Sequence, residues 1–342
     1  MTMVTDLVVV AMLSAPVQAP ATEPVFALQQ LAPGVHAAIV VRNPPAYAFA
    51  NSLVVIGTDG VLVVDTQQSP SAARSLIAEI ARLTDAPVRW VVNTHWHGDH
   101  VNGNQAYAAA FPGVEFIAHE SLAAELGTLA AARRATELVE LPASIELRRT
   151  WLRTGTGPNG AALLAEDRAA VERSLRLREG YHAELVSIVP TRPTRTFTDR
   201  LELDVGGQRV VLTHLGPAHT TGDVVVALPE HGIVAVGDLL EAGLPYFDDA
   251  SPAGWLRAVE RIALMAPAVI MPSHGPVSRD ATLLDEMRTL LRLVTETAAS
   301  DGAHDAWQET EQRWNARYGV SAAAFRGAME TARERVRLER AR

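Results

Sequence analysis

The chain has 342 residues, 48% of them hydrophobic, so it can bury a large core as one big domain or two smaller ones. Its formal net charge of -9 speaks against a nucleic-acid phosphate partner. Cysteine and lysine are both absent, which excludes disulfides, thiolate ligands and nucleophiles, Schiff-base chemistry and a P-loop lysine.

In chain order, Leu7–Leu13 is a short apolar run, and Ala15-Pro-Val-Gln-Ala19 offers the small residues that precede a leader cleavage. Met1–Asp6 lacks a basic side chain and resembles the start of a cloning-vector peptide, so residues 1–22 read as an export leader or a fusion scar. From Val25 to Thr66 the pattern is β-like, in VHAAIVV, NSLVVIGTDG and VLVVDT, with Thr58-Asp59-Gly60 as a hairpin turn. Ser69-Pro70 then opens a helix to about Leu83, with Leu76, Ile77, Ile80 and Leu83 at helical spacing. Val88–Asn93 is a strand, Asn102–Ala110 a helix and Val114–Ala118 a strand.

Residues of about 120–195 break this rhythm with an Ala-, Leu- and Arg-rich helical insertion, interrupted by Gly155–Gly160. It overhangs the site as a lid, with Tyr181 or His182 reaching in, or forms a peripheral helix pair. Its basic cluster (Arg133, Arg134, Arg148, Arg149, Arg153) reads as a solvated helix face, the other reading being a contact with an acidic group. Strands resume in TFTDRLELDV, GGQRVVLTHL, DVVVALPEHG and IVAVGDLL, linked by glycine turns. A helix from Pro252 to Met265 leads to the strand AVIMPSHGP, and helices fill the remainder. The fold class is α/β: two strand-rich layers with flanking helices, an αββα sandwich over residues 23–300, followed by a helical extension over 301–342. No later segment provides the ~18–20 apolar residues that span a bilayer.

Four segments carry ligand-type side chains just after an apolar strand. They are Val91–His100, which reads VVNTHWHGDH, then Gly216-Pro217-Ala218-His219-Thr220, Gly237-Asp238, and Ser273-His274-Gly275-Pro276. Strand ends in a layered α/β fold converge on one rim, so these loops can meet. Imidazole and carboxylate suit zinc, and seven such side chains exceed the needs of one tetrahedral ion. Two ions ~3.5–4 Å apart, sharing one carboxylate, would use them all.

This order of motifs, H-x-H-x-D-H, G-P-x-H-[ST], G-D and S-H-G, resembles the metallo-beta-lactamase superfamily over about Val25 to Val294. The resemblance implies a four-layer sandwich and two zinc ions, with iron or manganese as other candidate metals. It places His95, His97 and His219 on the first ion, Asp99, His100 and His274 on the second, and Asp238 between them. Asp65, closing VLVVD, matches a family aspartate that braces the ligand loop; the other reading is a plain turn residue. His119 and His214 match no ligand motif, and Trp96 reads as packing.

The implied activity is hydrolysis of an amide, ester, lactone or thioester bond by a hydroxide shared between the ions, with Asp99 orienting it or carrying a proton to the leaving group. A β-lactam is among the candidate substrates, but the cysteine-free β-lactamases lack an aspartate at the position of Asp238. Comparable lactonases carry a tyrosine three residues after it, where this chain has Glu241, with Tyr246 and Phe247 following. Alternatives are a phosphodiesterase, a mononuclear iron oxygenase such as a persulfide dioxygenase, and a non-catalytic binding protein. The expected partner is a small-molecule substrate, with neither nucleic acid nor membrane. The Arg- and Glu-rich Arg333–Arg342 is a solvated face or a homo-oligomer contact. A leader would direct the protein to the periplasm or outside the cell; without one it is cytoplasmic.

Overall fold

The structure, a computed structural model, describes residues 24–41, 50–157, 160–299 and 303–341. The expected leader over 1–22 lies outside the described residues. The first sheet begins as an antiparallel meander of β1 (Phe26–Ala32), β2 (Val35–Val40), β3 (Ser52–Gly57) and β4 (Gly60–Val64). It continues with three strands added in parallel, β5 (Val88–Val92), β6 (Glu115–His119) and β7 (Arg195–Phe197). The connections run through α1 (Pro70–Leu83), α2 (Gly98–Val101) and α3 (Asn104–Ala110), and between β6 and β7 through α4 (Ser121–Gly127), α5 (Leu129–Thr154) and α6 (Ala165–Leu185).

The second sheet holds β8 (Arg200–Asp204), β9 (Arg209–His214), β10 (Val224–Leu228), β11 (Ile233–Ala235) and β12 (Val269–Met271), in the order β12-β11-β10-β9-β8. Only β11 and β12 pair in parallel, joined by α7 (Pro252–Leu264). The chain ends in α8 (Thr282–Thr297), α9 (Ala303–Tyr318) and α10 (Ala322–Arg340).

Strand alternation builds the layers. Side chains two apart share a face, so a strand apolar at every position can serve two cores. Leu53, Val55, Leu62 and Val64 meet Leu212, Val224, Val226 and Met271 between the sheets. Val54, Val61 and Val63 face the other way, onto Leu76 and Ile80 of α1. On the far side, Val225, Val234 and Ile270 pack on Trp255, Val259 and Ile262 of α7, with Leu290, Leu291, Trp307, Trp314 and Phe325 beyond them. The result is the αββα sandwich that the sequence pattern predicts.

Two elements differ in detail from the sequence reading. TFTDRLELDV is two strands in different sheets, because the chain crosses between layers after Phe197, which is buried in the inter-sheet core. The helix expected from Asn102 begins at Asn104, after a short helical turn at Gly98–Val101. The α1 start matches the expectation: Ser69 Oγ accepts from the Ala72 N–H, with Pro70 in the first turn. Among the described residues, no helix is long and apolar enough to cross a membrane.

Candidate metal centre

All four ligand-bearing loops open from the carboxyl ends of strands on one rim. The loop after β5 is held hardest. Asp65, at the end of β4, accepts from the Thr94 N–H and Thr94 Oγ1, both at 2.8 Å, and its Oδ2 lies 2.8 Å from His100 Nδ1. It is buried and adopts a left-handed backbone (φ 63°), a cost repaid only where neighbours hold it in place. Asp65 is therefore a brace rather than a plain turn residue. The amides of Asn93 and Asn104 bond each other, and Asn93 also donates to the His100 carbonyl.

The other loops have braces of their own. Asp223 accepts from both the N–H and the hydroxyl of Thr220, beside His219. Asn51, entering β3, donates to the carbonyls of Pro272 and Gly275 and so brackets His274. Gly237 has φ 57°, and a side chain there would press on Thr94, which suits glycine just before Asp238.

These supports bring the seven side chains named from sequence into two groups. His95, His97, His219 and Asp238 form one; Asp99, His100, Asp238 and His274 form the other. Asp238 belongs to both through different oxygens. Its Oδ2 lies 3.6 Å from His95 Nε2 and 3.5 Å from His219 Nε2, while His97 Nδ1 lies 3.1 Å from His219 Nε2. Its Oδ1 lies 3.3 Å from His100 Nε2 and 3.4 Å from His274 Nε2, and Asp99 Oδ2 is 3.4 and 3.2 Å from the same two nitrogens.

Does this donor set fit metal? Ligand bonds of ~2.0–2.2 Å at tetrahedral angles put neighbouring donor atoms ~3.3–3.6 Å apart, close to the spacings found. His95 Nε2, His100 Nε2 and Asp238 Oδ1 are also buried without a hydrogen-bond partner, a costly arrangement unless something else satisfies them. His219 Nδ1, turned away from the group, is likewise unpartnered. The residues fit one cation in each group.

The protein's own charges add to this. Burial, and then the charge of His100, holds His95 well below the usual histidine range. Burial and His97 push His219 down to about 3, so both rings are neutral and keep a lone pair. Burial opposes charge on Asp99 and Asp238, but His100 and His274 outweigh it and hold both carboxyls well below their usual range. Burial likewise opposes protonation of His100 and His274, and Asp238 and Asp99 outweigh it, raising both. Binding a cation in the second group must therefore displace protons, which makes affinity rise with pH.

Around the two groups lies a cavity of about 250 Å³, with Gln68, Asp99, Arg133, Glu137, Glu241 and Tyr246 in its wall. Burial, and then the charge of Asp238, pushes Glu241 up to about 8, so it faces the cavity as a neutral acid at pH 7. Tyr181 is buried, and its hydroxyl accepts from Gln68 and donates to Glu137, so the insertion does touch the cavity wall. Arg133 corrects the reading of its cluster as a solvated face, because it reaches the cavity and pairs with Asp249.

Asp249 is the residue that sequence reasoning missed. Its Oδ2 accepts from His97 Nε2 at 3.0 Å. Burial opposes its ionisation, but His97 and Arg133 outweigh it and hold its carboxyl below the usual range. It follows no strand and belongs to no ligand motif, so only the tertiary contact reveals it. Trp96 is buried among Val101, Ala118, Leu122 and Leu126, as packing. His119 and His214 stack on each other 3.9 Å apart, outside both groups.

An α/β sandwich with paired His/Asp groups at its strand ends defines the class of protein. The chain belongs to the metallo-beta-lactamase superfamily, whose family model matches residues 47–274. A linear primary-alkylsulfatase from Pseudomonas sp. (strain ATCC 19151) is 25% identical over 231 residues, covering 64% of this chain and 40% of the sulfatase. A metallo-beta-lactamase type 2 from Bacteroides fragilis is 27% identical over 89 residues, covering 24% of this chain and 36% of that one. The chain thus spans less than half the length of either relative. Among solved structures, a metallo-beta-lactamase from Pontibacter korlensis matches with a TM-score of 0.54 at 22% identity, covering 78% of this chain and 99% of that one. The metallo-beta-lactamase FIM-1 from Pseudomonas aeruginosa, in its mono-zinc form, matches with 0.53 at 21% identity, covering 80% and 97%. At this identity the two structures speak for the fold alone.

Proposed function

We propose that the protein is a hydrolase that uses two divalent metal ions, zinc before iron or manganese, to cleave an ester-type or amide-type bond in a small molecule. The observation that carries this reading is Asp238, whose two carboxylate oxygens face two different groups of histidine nitrogens. His95, His97 and His219 would hold one ion, Asp99, His100 and His274 the other, and Asp238 both. Bound ions of this kind polarise the scissile bond's oxygen and lower the pKa of a water to near ~7.

The remaining roles belong to the chain. Asp99 lines the cavity and, as a carboxylate, can take a proton and pass it to the leaving group. Glu241 lines the same wall as a second carboxyl able to carry a proton. Tyr246 and Arg133 also line the cavity, where a polar part of the substrate would rest. A cavity of about 250 Å³ suits a small molecule better than a polymer. Amide, ester, lactone and thioester substrates all fit this chemistry, and the alkylsulfatase relative adds a primary alkyl sulfate to those worth trying.

The deciding experiment counts metals in the purified protein by elemental analysis. It then assays a panel of a β-lactam, a lactone, a thioester, a phosphodiester and a primary alkyl sulfate. Two zinc ions per chain and zinc-dependent turnover of one class are expected. A single iron with oxygen uptake, or a chain that stays metal-free in excess zinc, would overturn the reading.

A further inference from the structure

A hydrogen bond to the second ring nitrogen of a metal-facing histidine keeps its lone pair aimed at the ion. Around this centre that support comes from different elements and is absent at His219 Nδ1. His100 takes it from Asp65 at the end of β4, and the His274 loop is bracketed by Asn51 at the start of β3, both within the sandwich. His97 is different. Its Nδ1 belongs to the first group, and its Nε2 donates to Asp249 Oδ2 at 3.0 Å. Asp249 lies in the loop before α7 and is itself paired with Arg133 Nη1 at 3.4 Å.

Arg133 comes from the first turns of α5, in the insertion, an element that contributes to neither sheet. Its guanidinium is held by two more partners. Nη2 donates to the Tyr246 hydroxyl, and the group sits 4.6 Å from the Tyr246 ring and 6.0 Å from the Trp96 ring. The Trp96 ring packs edge-on against His97 at 4.4 Å. Both faces of the contact thus converge on one imidazole.

From this geometry we infer that Arg133 and Asp249 form a clamp that sets the tautomer and orientation of His97, so that the insertion is a working part of the metal centre. A neutral imidazole has one N–H. Donating it from Nε2 to a carboxylate leaves the lone pair on Nδ1, facing His219 and Asp238, and makes that nitrogen a stronger donor. Arg133 holds Asp249 in place, and its planar fork serves Asp249 and Tyr246 together. Both are positioning residues acting through His97. The inference rests on the reading of His97 as a ligand.

The test uses the full-length protein and zinc, with affinities measured by competition against a chromogenic chelator. Asp249→Asn should weaken one zinc equivalent by ~10–100-fold and leave the other unchanged. Arg133→Met should weaken the same equivalent by less, with Arg133→Lys recovering part of the loss. The double variant Arg133→Met/Asp249→Asn should bind no more weakly than Asp249→Asn, because Arg133 acts through Asp249. In the zinc-loaded wild type, long-range ¹H–¹⁵N spectra of the histidines should show His97 protonated at Nε2.

A merely structural role would lower the melting temperature of the variants without moving either zinc affinity. That result overturns the clamp, as does a His97 proton on Nδ1, which is read on the wild type and needs no variant to fold. A wild type that binds no zinc removes the ligand reading first and the clamp with it, so the two failures are told apart.

Discussion

Asp99, half-buried, and Asp238, buried, are carboxylates of the same group with different tasks, since Asp238 is shared by both groups and Asp99 belongs to one. Replacing Asp99 by Asn keeps the shape and removes the proton site, so turnover should fall by ~10²-fold or more while the thermal transition stays cooperative. Unchanged turnover of a zinc-loaded Asp99→Asn variant would count against the role. His119 offers a test free of the metal groups. Burial, and then the charge of His214, lowers its pKa below the ordinary 6.5. The unfolded chain therefore takes up a proton near 6.5 that the folded chain refuses. The stability that neutral His119 contributes is present above that pH and is lost as pH falls through it. His119→Gln should flatten the decline in melting temperature between about pH 7 and pH 5; equal slopes in the two proteins would refute the assignment.

Among the elements, those easiest to read in sequence are the ones with two-sided or one-sided burial. The strands β3, β4 and β10 are apolar at almost every position because both faces meet a core, and α1 and α7 carry one apolar stripe onto a sheet. The insertion is harder to read, because α5 and α6 bury only Leu141, Ile145, Tyr181 and Leu185 against each other, with Ile188 just beyond. Nothing in its composition separates Arg133, which reaches the cavity, from Arg149 and Arg153, which are exposed. The junction of α2 and α3 provides a test at this scale. A Cβ on Gly103 would lie 1.8 Å from the Thr66 carbonyl oxygen, too close for either backbone to keep its place. Gly103→Ala should destabilise the protein by roughly 3 kcal/mol or more and lower zinc affinity, since Thr66 and His100 are bonded across this contact. A variant that melts with the wild type would contradict the close packing.

At the scale of the whole molecule, the last two helices hold the loop that walls the cavity. Trp314 Nε1 donates to the Gly243 carbonyl and Arg335 Nε to that of Ala250, while Trp307, Trp314, Phe325 and Met329 cover α7 and α8. Ending the chain after Thr297 removes four large buried side chains at ~1.5–3 kcal/mol each. The shortened protein should aggregate or melt well below the full chain, by light scattering and calorimetry. One that stays monodisperse with an unchanged melting temperature would show that α9 and α10 are dispensable. Stripping metal with a chelator should lower the melting temperature by roughly 5–10 °C, as expected for ligands that bind only the folded state. No shift in a protein shown to carry zinc would mean that the two groups do not bind it.

The fold class and the seven converging side chains are legible in the order of residues, because each of the seven follows an apolar strand and strands of a layered fold end on one rim. Histidine and aspartate at such ends also announce their chemistry, since no cysteine or lysine competes for it. Asp65 is legible at the end of its strand, but the partners that hold His97 emerge only from tertiary contacts. Asp249 meets His97 across 152 positions of chain, and Arg133 meets Asp249 across 116. Contacts of that range leave no local pattern, because no spacing within one strand or helix requires them. They depend on how an insertion, a loop and a strand end pack together, and that is settled by the three-dimensional burial of all three at once.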